Sequence, residues 1–368
     1  MYYICGMENL LGLKLKDLRE SKALSFQQLA DQIGIARQSI FKFENGLSKP
    51  GAETLLKLSD VFAVPFTYFY ENADGSPLDF DNIKFRDAPK IFNIGTHLKE
   101  VKKLVVDYVS KYLEVEQLLG YNRVFDNPLE GVKIANEKDI EKAAKTLRKK
   151  WKMGNAPIDD VVETLESRGI LVVEVNRSED FLGLSGAINK DIPIIVLNER
   201  IPTLERKRLT ALHELGHIVL EFIDGFSDGK VEYYCDFFAG AVLIVDEAVY
   251  MEFGKNRTTI SLAELKRIKE RYGISIQALI IRAKQTDYID QKTSDEWWQA
   301  YNEWYKGGNN QNDFGKFKCR EQATRFKNMI VKGINEKKLS WSKAAELCAM
   351  KIDHLKQEFN GLTFNVRS

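Results

Sequence analysis

Leu209-Thr210-Ala211-Leu212-His213-Glu214-Leu215-Gly216-His217-Ile218-Val219 is the stretch on which the reading of this chain turns. Its two histidines are four positions apart, so on a helix they project from one face about one turn apart. That geometry lets both imidazoles ligate a single Zn²⁺, with Glu214 placed as general base toward a water. The chain holds 4 histidines in all, and two of them stand here. Leu209, Leu212, Leu215, Ile218 and Val219 recur at helical spacing, which predicts an amphipathic helix over residues 204–222 with the histidines flanking its apolar stripe. Upstream, Ile192-Pro193-Ile194-Ile195-Val196-Leu197-Asn198 is a β-branched run that predicts a strand, with Pro193 tolerated near its start.

A hydrolytic zinc site takes three protein ligands and leaves one position open. The next helical run, residues 231–249, contains Glu232-Tyr233-Tyr234-Cys235-Asp236. Glu232 and Asp236 share one helix face, where two acids repel unless a cation is near. Glu232 would complete a His₂Glu set, and Asp236 would accept the free N–H of a ligating His. Glu221, Asp224 and Asp228, in or beside a Gly-containing loop, are competing ligands, and Tyr233, Tyr234 and Arg206 are candidate oxyanion donors. Cys235 reads as a buried thiol rather than a ligand.

From about residue 134 to 249 the chain resembles the ImmA/IrrE metallopeptidases of bacteria and their mobile elements. The likeness is carried by AAKTLRKKW, PIDDVVETLESRGILVVEV, FLGLSGAI, IPIIVLNERIPTLERKRLTALHELGH and VEYYCDFFAGAVL. The resemblance implies that His213, His217 and Glu232 bind zinc, that Glu214 is the catalytic base, and that Asp236 supports a ligand. It also implies a repressor-like protein as substrate. Two positions depart from the family pattern: Leu243-Ile244-Val245 stands where Leu-Met-Pro is usual, and Glu221 where a His often follows the motif.

The N-terminal stretch gives an independent signal. Ser25 caps a short helix that runs through Leu29, Ala30 and Ile33 to Gly34, and a tight turn leads into Arg37-Gln38-Ser39-Ile40-Phe41-Lys42-Phe43-Glu44, stopped by Asn45-Gly46. Ile40 and Phe43 are expected in the core, with Leu55, Leu58, Val61 and Phe62 supplying further packing. This helix-turn-helix pattern closely resembles the XRE/Cro repressor domains. By position in that motif, Arg37, Gln38, Ser39 and Lys42 lie on the exposed side of the recognition helix. Arg suits G, Gln suits A, and Lys can take a phosphate. Phe26 stands where the family often has a Gln that contacts the DNA backbone.

The C-terminal Leu339-Ser340-Trp341-Ser342-Lys343-Ala344-Ala345-Glu346 repeats the rhythm of Leu24-Ser25-Phe26-Gln27-Gln28-Leu29-Ala30-Asp31. Leu355 then falls where Ile40 does, and Asn360-Gly361 where Asn45-Gly46 does. Its face of Ile352, Asp353, His354, Gln357 and Glu358 is poor in positive charge, so this stretch is read as a docking element rather than a second reader.

With 44% hydrophobic and 29% charged residues, the 368-residue chain has material for two or three cores. The net charge of +1 places any basic patch locally. No run approaches the roughly 18 apolar residues of a membrane helix. The 4 cysteines (Cys5, Cys235, Cys319, Cys348) show no CxxC spacing and read as reduced thiols of a cytoplasmic protein. The expected fold is mainly α with a small β-sheet. It comprises an N-terminal all-α helix-turn-helix bundle (residues 1–75), a linker with a long helix at 97–119 (76–130), a central α+β zincin-like domain (131–290) and a C-terminal helical segment (291–368).

These readings predict a DNA-binding transcriptional regulator, homodimeric on a double-stranded DNA operator and with no membrane association, whose zinc peptidase hydrolyses itself or a repressor-like partner protein. The alternative is a repressor or antitoxin/immunity regulator whose peptidase fold serves as sensor or interaction platform with little hydrolysis. The intact Glu214 favours the first, because a non-catalytic zinc site has no use for a base.

Overall fold

The computed structural model describes residues 10–48, 50–64, 68–69, 83–85, 94–121, 123–178, 181–188, 192–306 and 315–360. Residues 71–77, a polar turn by sequence, and Gly307-Gly308-Asn309-Asn310, an exposed loop by sequence, lie outside them. Two compact units emerge: one drawn from Met1–Ile83, Lys99–Arg123 and Thr324–Ser368, the other from Lys84–Leu98 and Val124–Ala323. The fold is mainly α, with small sheets in the second unit, as the sequence predicts.

The first unit begins with four short helices: α1 (Leu10–Ser21), α2 (Phe26–Ile33), α3 (Arg37–Glu44) and α4 (Ala52–Phe62). Ser25 and Gln28 form a reciprocal capping box at the start of α2, and Gly34 at φ 71° ends it in the left-handed conformation that favours glycine. Leu15, Leu29, Ile33, Ile40, Leu55, Leu58 and Phe62 close the core. Phe43 is only half-buried. The buried polar residue of α3 is Glu44, which accepts from Arg19 Nε at 2.6 Å and Nη2 at 2.9 Å and so fastens α3 to α1. Hydrophobic periodicity could not reveal this pair, because neither partner is apolar.

Further along the chain, β1 (Ile83–Phe85) precedes the long helix α5 (Ile94–Leu119). Its buried stripe is Val101, Val105, Val109, Tyr112, Val115 and Leu119, whereas Leu104 is exposed. Three C-terminal helices belong to the same unit as most of α5: α14 (Arg325–Asn335), α15 (Trp341–Leu347) and α16 (Ile352–Asn360). Phe326 stacks on Tyr112, with ring centroids 5.7 Å apart, and Lys343 pairs with Glu114 at 2.8 Å.

The second unit carries β2 (Lys133–Ile134), α6 (Glu137–Lys150), α7 (Val161–Ser167), β3 (Leu171–Val175), β4 (Gly183–Ile188) and β5 (Ile192–Asn198). It continues with α8 (Leu204–Val219), β6 (Glu221–Phe222), α9 (Asp228–Leu243), α10 (Asp246–Phe253), α11 (Leu262–Tyr272), α12 (Ile276–Gln285) and α13 (Gln291–Lys306). The main sheet has the order β1-β4-β5-β3. Strand β5 is parallel to β3, with Val173 opposite Val196, and antiparallel to β4, with Ser185 opposite Ile195. Nearly all of its residues are buried, those of both faces included, so the run is apolar almost throughout. Asn198 ends it, and its buried amide donates to the carbonyls of Ser178 at 2.8 Å and Phe181 at 2.7 Å.

Two helices end earlier than periodicity predicts. The chain leaves α8 at Leu220 in extended conformation (φ −88°, ψ 133°), because Glu221 and Phe222 pair in parallel with Lys133 and Ile134. The run expected over 231–249 breaks at Ile244 (φ −140°, ψ 105°) and Val245 (φ −68°, ψ 157°), both buried, which separates α9 from α10. The aromatic α13 turns Trp297, Tyr301 and Trp304 toward the unit's core.

The site-bearing α8 is fixed from its far side. Arg208 is fully buried; it pairs with the equally buried Glu321 and donates to the carbonyls of Ile158 at 2.6 Å and Gly273 at 3.1 Å. Glu321 in turn accepts from the Val161 and Val162 amides at the start of α7, at 3.1 and 3.2 Å. A buried charge is tolerable when paired and hydrogen-bonded in this way.

Candidate functional site

His213 and His217 leave α8 one turn apart, and α9 crosses that face with Glu232 opposite them. His213 Nε2 is 3.1 Å from Glu232 Oε2, His217 Nε2 is 3.3 Å from Oε1, and the two Nε2 atoms are 3.1 Å apart. One donor atom from each of the three residues lies within 4.8 Å of the others, so the cluster could hold a metal ion. Behind it, His213 Nδ1 is 2.7 Å from Asp236 Oδ1. Of the carboxylates weighed for this role, the structure brings Glu232 to the histidines and Asp236 behind one of them. Glu221 is instead an exposed strand residue paired with Lys133.

The carboxylates dominate the electrostatics of the cluster. Burial works against a charged His213, yet the hydrogen bonds to Asp236 and Glu232 outweigh it and push its pKa up to about 10. Glu232 is held well below the usual carboxylate range by its hydrogen bonds to His213 and His217. Two carboxylates, Glu232 and Asp236, thus stand within hydrogen-bond distance of His213, and Glu232 also faces His217.

Glu214 lies against β4 rather than in solvent, with only 8% of its surface exposed. Burial raises its pKa above the ordinary carboxylate value, while His213 and His217 pull the other way and the Ser185 hydroxyl, its hydrogen-bond partner on β4, steadies the anion. The close approach of β4 needs Gly183: a Cβ there would lie 2.8 Å from Thr210 Cγ2 and 3.4 Å from Glu214 Cγ. Sequence reasoning missed Ser185. It lay in the quoted stretch Gly183-Leu184-Ser185-Gly186, but nothing in its spacing ties it to the histidines.

None of the oxyanion candidates is shown on the cluster. The Tyr233 hydroxyl donates to Glu137 Oε1 at 2.9 Å, the Tyr234 ring is buried against Phe222, and Arg206 is exposed on the first turn of α8.

On α3, Arg37, Gln38 and Lys42 are exposed, as a reading face requires, and Ser39 is half-buried. Phe26 packs its ring edge-on to Phe41 at 6.0 Å and lies under the Arg19 guanidinium at 4.3 Å, so an aromatic surface stands at this position.

Comparison with known proteins agrees with this division. Residues 15–69 match a helix-turn-helix family model, and residues 165–284 match the model of the IrrE N-terminal-like domain. The N-terminal part is similar to the SPbeta prophage-derived HTH-type transcriptional regulator YonR of Bacillus subtilis, 39% identical over 74 residues, which is 20% of this chain and 68% of that protein. A "putative HTH-type transcriptional regulatory protein" of Methanothermobacter thermautotrophicus is 26% identical over 166 residues, 45% of this chain and 47% of the relative. A protein of the same description from Pyrococcus furiosus is 24% identical over 184 residues, 49% and 53% of the two chains. The match thus spans about half the length of these last two relatives. The chain belongs to the helix-turn-helix transcriptional regulators of the XRE/Cro type, with an ImmA/IrrE-like domain joined to the reading head.

Proposed function

We propose that this protein is a DNA-binding transcriptional regulator whose second unit is a zinc peptidase acting on itself or on a repressor-like protein. The observation that carries the reading is the donor geometry. A tetrahedral zinc with arms of about 2.0–2.1 Å has donor–donor edges of about 3.3 Å; the two Nε2 atoms are 3.1 Å apart, and each imidazole has one oxygen of the Glu232 carboxylate near that distance, Oε2 at 3.1 Å from His213 and Oε1 at 3.3 Å from His217. Zinc, when bound, polarises a scissile carbonyl and acidifies water. His213 and His217 offer their Nε2 lone pairs, and Glu232 supplies one negative charge. Asp236 holds the Nδ1 proton of His213 and so fixes its tautomer. Glu214 removes a proton from the attacking water and returns it to the leaving amine, with Ser185 orienting its carboxylate. Arg37, Gln38 and Lys42 meet an operator in the major groove, Ser39 lies beside them, and two chains reading a two-fold site as a homodimer is the arrangement such heads favour.

The test is metal analysis joined to proteolysis. Purified protein should carry about one zinc per chain; His213→Ala with His217→Ala should remove it. Glu214→Gln should keep the metal and abolish cleavage of the chain itself or of a bound repressor. Full zinc retention in the double histidine variant would overturn the ligand assignment. Zinc uptake with no Glu214-dependent cleavage would favour a sensing role for the same fold.

A further inference from the structure

Resting on the metal-centre reading above, we infer that Cys235 is the positioning residue of His217, as Asp236 is of His213. Both imidazoles turn Nε2 toward the Glu232 carboxylate, which leaves each Nδ1 facing away from the cluster. Successive residues of α9 meet them there: Asp236 Oδ1 lies 2.7 Å from His213 Nδ1, and Cys235 Sγ lies 3.3 Å from His217 Nδ1. When His217 Nε2 is a ligand its lone pair is committed, so the ring proton sits on Nδ1 and donates to the sulfur. Sulfur is a weak acceptor. Cys235 compensates by being fully buried, where no water competes for the proton.

Gly216, between the two histidines, makes room for this contact. A Cβ at Gly216 would lie 3.3 Å from both the Cβ and the Sγ of Cys235, tighter than side chains normally pack. The glycine of the motif and the thiol of α9 therefore fit one another, and the sequence shows no more than a buried cysteine beside a ligand. One ligand is held by an exposed carboxylate and the other by a buried thiol. The grip on His217 is the weaker and the drier of the two.

The experiment measures zinc affinity by chelator competition in full-length Cys235→Ala and Cys235→Ser, together with the ¹⁵N shifts of the His217 ring in the zinc-loaded protein. Loss of an outer hydrogen bond to a ligand lowers metal affinity by about tenfold or more. We expect that loss in Cys235→Ala, affinity near the original in Cys235→Ser because a hydroxyl also accepts the proton, and an Nδ1-protonated His217 in the unaltered chain. Equal zinc affinity in Cys235→Ala, an equal loss in both variants, or an Nε2-protonated His217 in the loaded protein would overturn the proposal while leaving the metal centre standing. A correctly folded parent chain that takes up no zinc would overturn both.

Discussion

Residues 10–45 and 325–360 follow one backbone plan with two different surfaces. Ser25 and Ser340 cap the second helix of each, accepting from the Gln28 and Lys343 amides. Gly34 and Ala349 make the tight turn, both at positive φ, 71° and 52°. Leu15 and Ile330, Leu29 and Ala344, and Ile40 and Leu355 are matched buried positions. Where the first stretch joins α1 to α3 through Arg19 and Glu44, the matching positions are the apolar Ile334 and Phe359. The proposed reading positions diverge most: Arg37, Gln38, Ser39 and Lys42 in α3 correspond to Ile352, Asp353, His354 and Gln357 in α16. The second stretch also spends Lys343 and Phe326 on contacts with α5. A helix-turn-helix backbone is a scaffold, and the charge on its exposed face decides whether it reads DNA.

The largest effects should be those the two stretches share. Ile40 and Leu355 are both fully buried, so Ile40→Ala and Leu355→Ala should each cost about 2–5 kcal/mol in local stability. Hydrogen exchange would show faster opening of α2–α3 in one variant and of α15–α16 in the other. A cost under about 1 kcal/mol at Leu355 alone, below the range for a large-to-small core change, would break the parallel.

Operator binding should separate them. Loss of one bidentate base contact costs about 1–3 kcal/mol, and Arg37→Ala should show that loss against the specific site more than against unrelated DNA. Replacing His354 or Gln357 with Ala should leave operator affinity unchanged, measured by titration at fixed salt. An equal loss from either would make α16 a second reader.

Caps come next. Ser25→Ala and Ser340→Ala each remove the acceptor of one helix-start amide, worth about 1 kcal/mol. The first start has a second bond, from the Ser25 amide to Gln28 Oε1 at 2.8 Å, whereas Lys343 has no acceptor to return. Gln28→Ala should therefore weaken the start of α2 further, by a few tenths of a kcal/mol, in thermal melts of the parent and the variant.

Legibility followed the kind of force involved. Cores, caps and the His-x-x-x-His face were readable because they depend on residues three or four apart in the chain. Ser25, Gly34, Ile40, His213 and His217 all stand where spacing puts them. What escaped was decided across the chain. Glu221 and Phe222 left the helix because residues 133–134 offered a strand partner. Ser185 reaches Glu214 only because Gly183 lets β4 close on α8. Arg208 and Glu321, both fully buried, are a charged pair in positions that hydropathy assigns to solvent. The proposed third donor, Glu232, is legible from its likeness to a family and from its pairing with Asp236, not from distance to the histidines.

A small effect at the turns carries the sharpest sign. Gly34 and Ala349 occupy the same left-handed turn, but only one is a glycine. A Cβ on Gly34 would meet no atom within 4 Å, so the penalty for Gly34→Ala is backbone strain alone. Left-handed geometry costs an L-residue about 1–2 kcal/mol, partly offset by the smaller entropy that alanine loses on folding. Gly34→Ala should thus destabilise the first stretch by about 1 kcal/mol or less. Ala349→Gly should stabilise the second by a similar amount, since that stretch already bears the strain. Paired melts or hydrogen exchange would read both shifts against the parent chain. Shifts of the same sign would mean that the two turns are not equivalent, and that the resemblance ends at the buried positions.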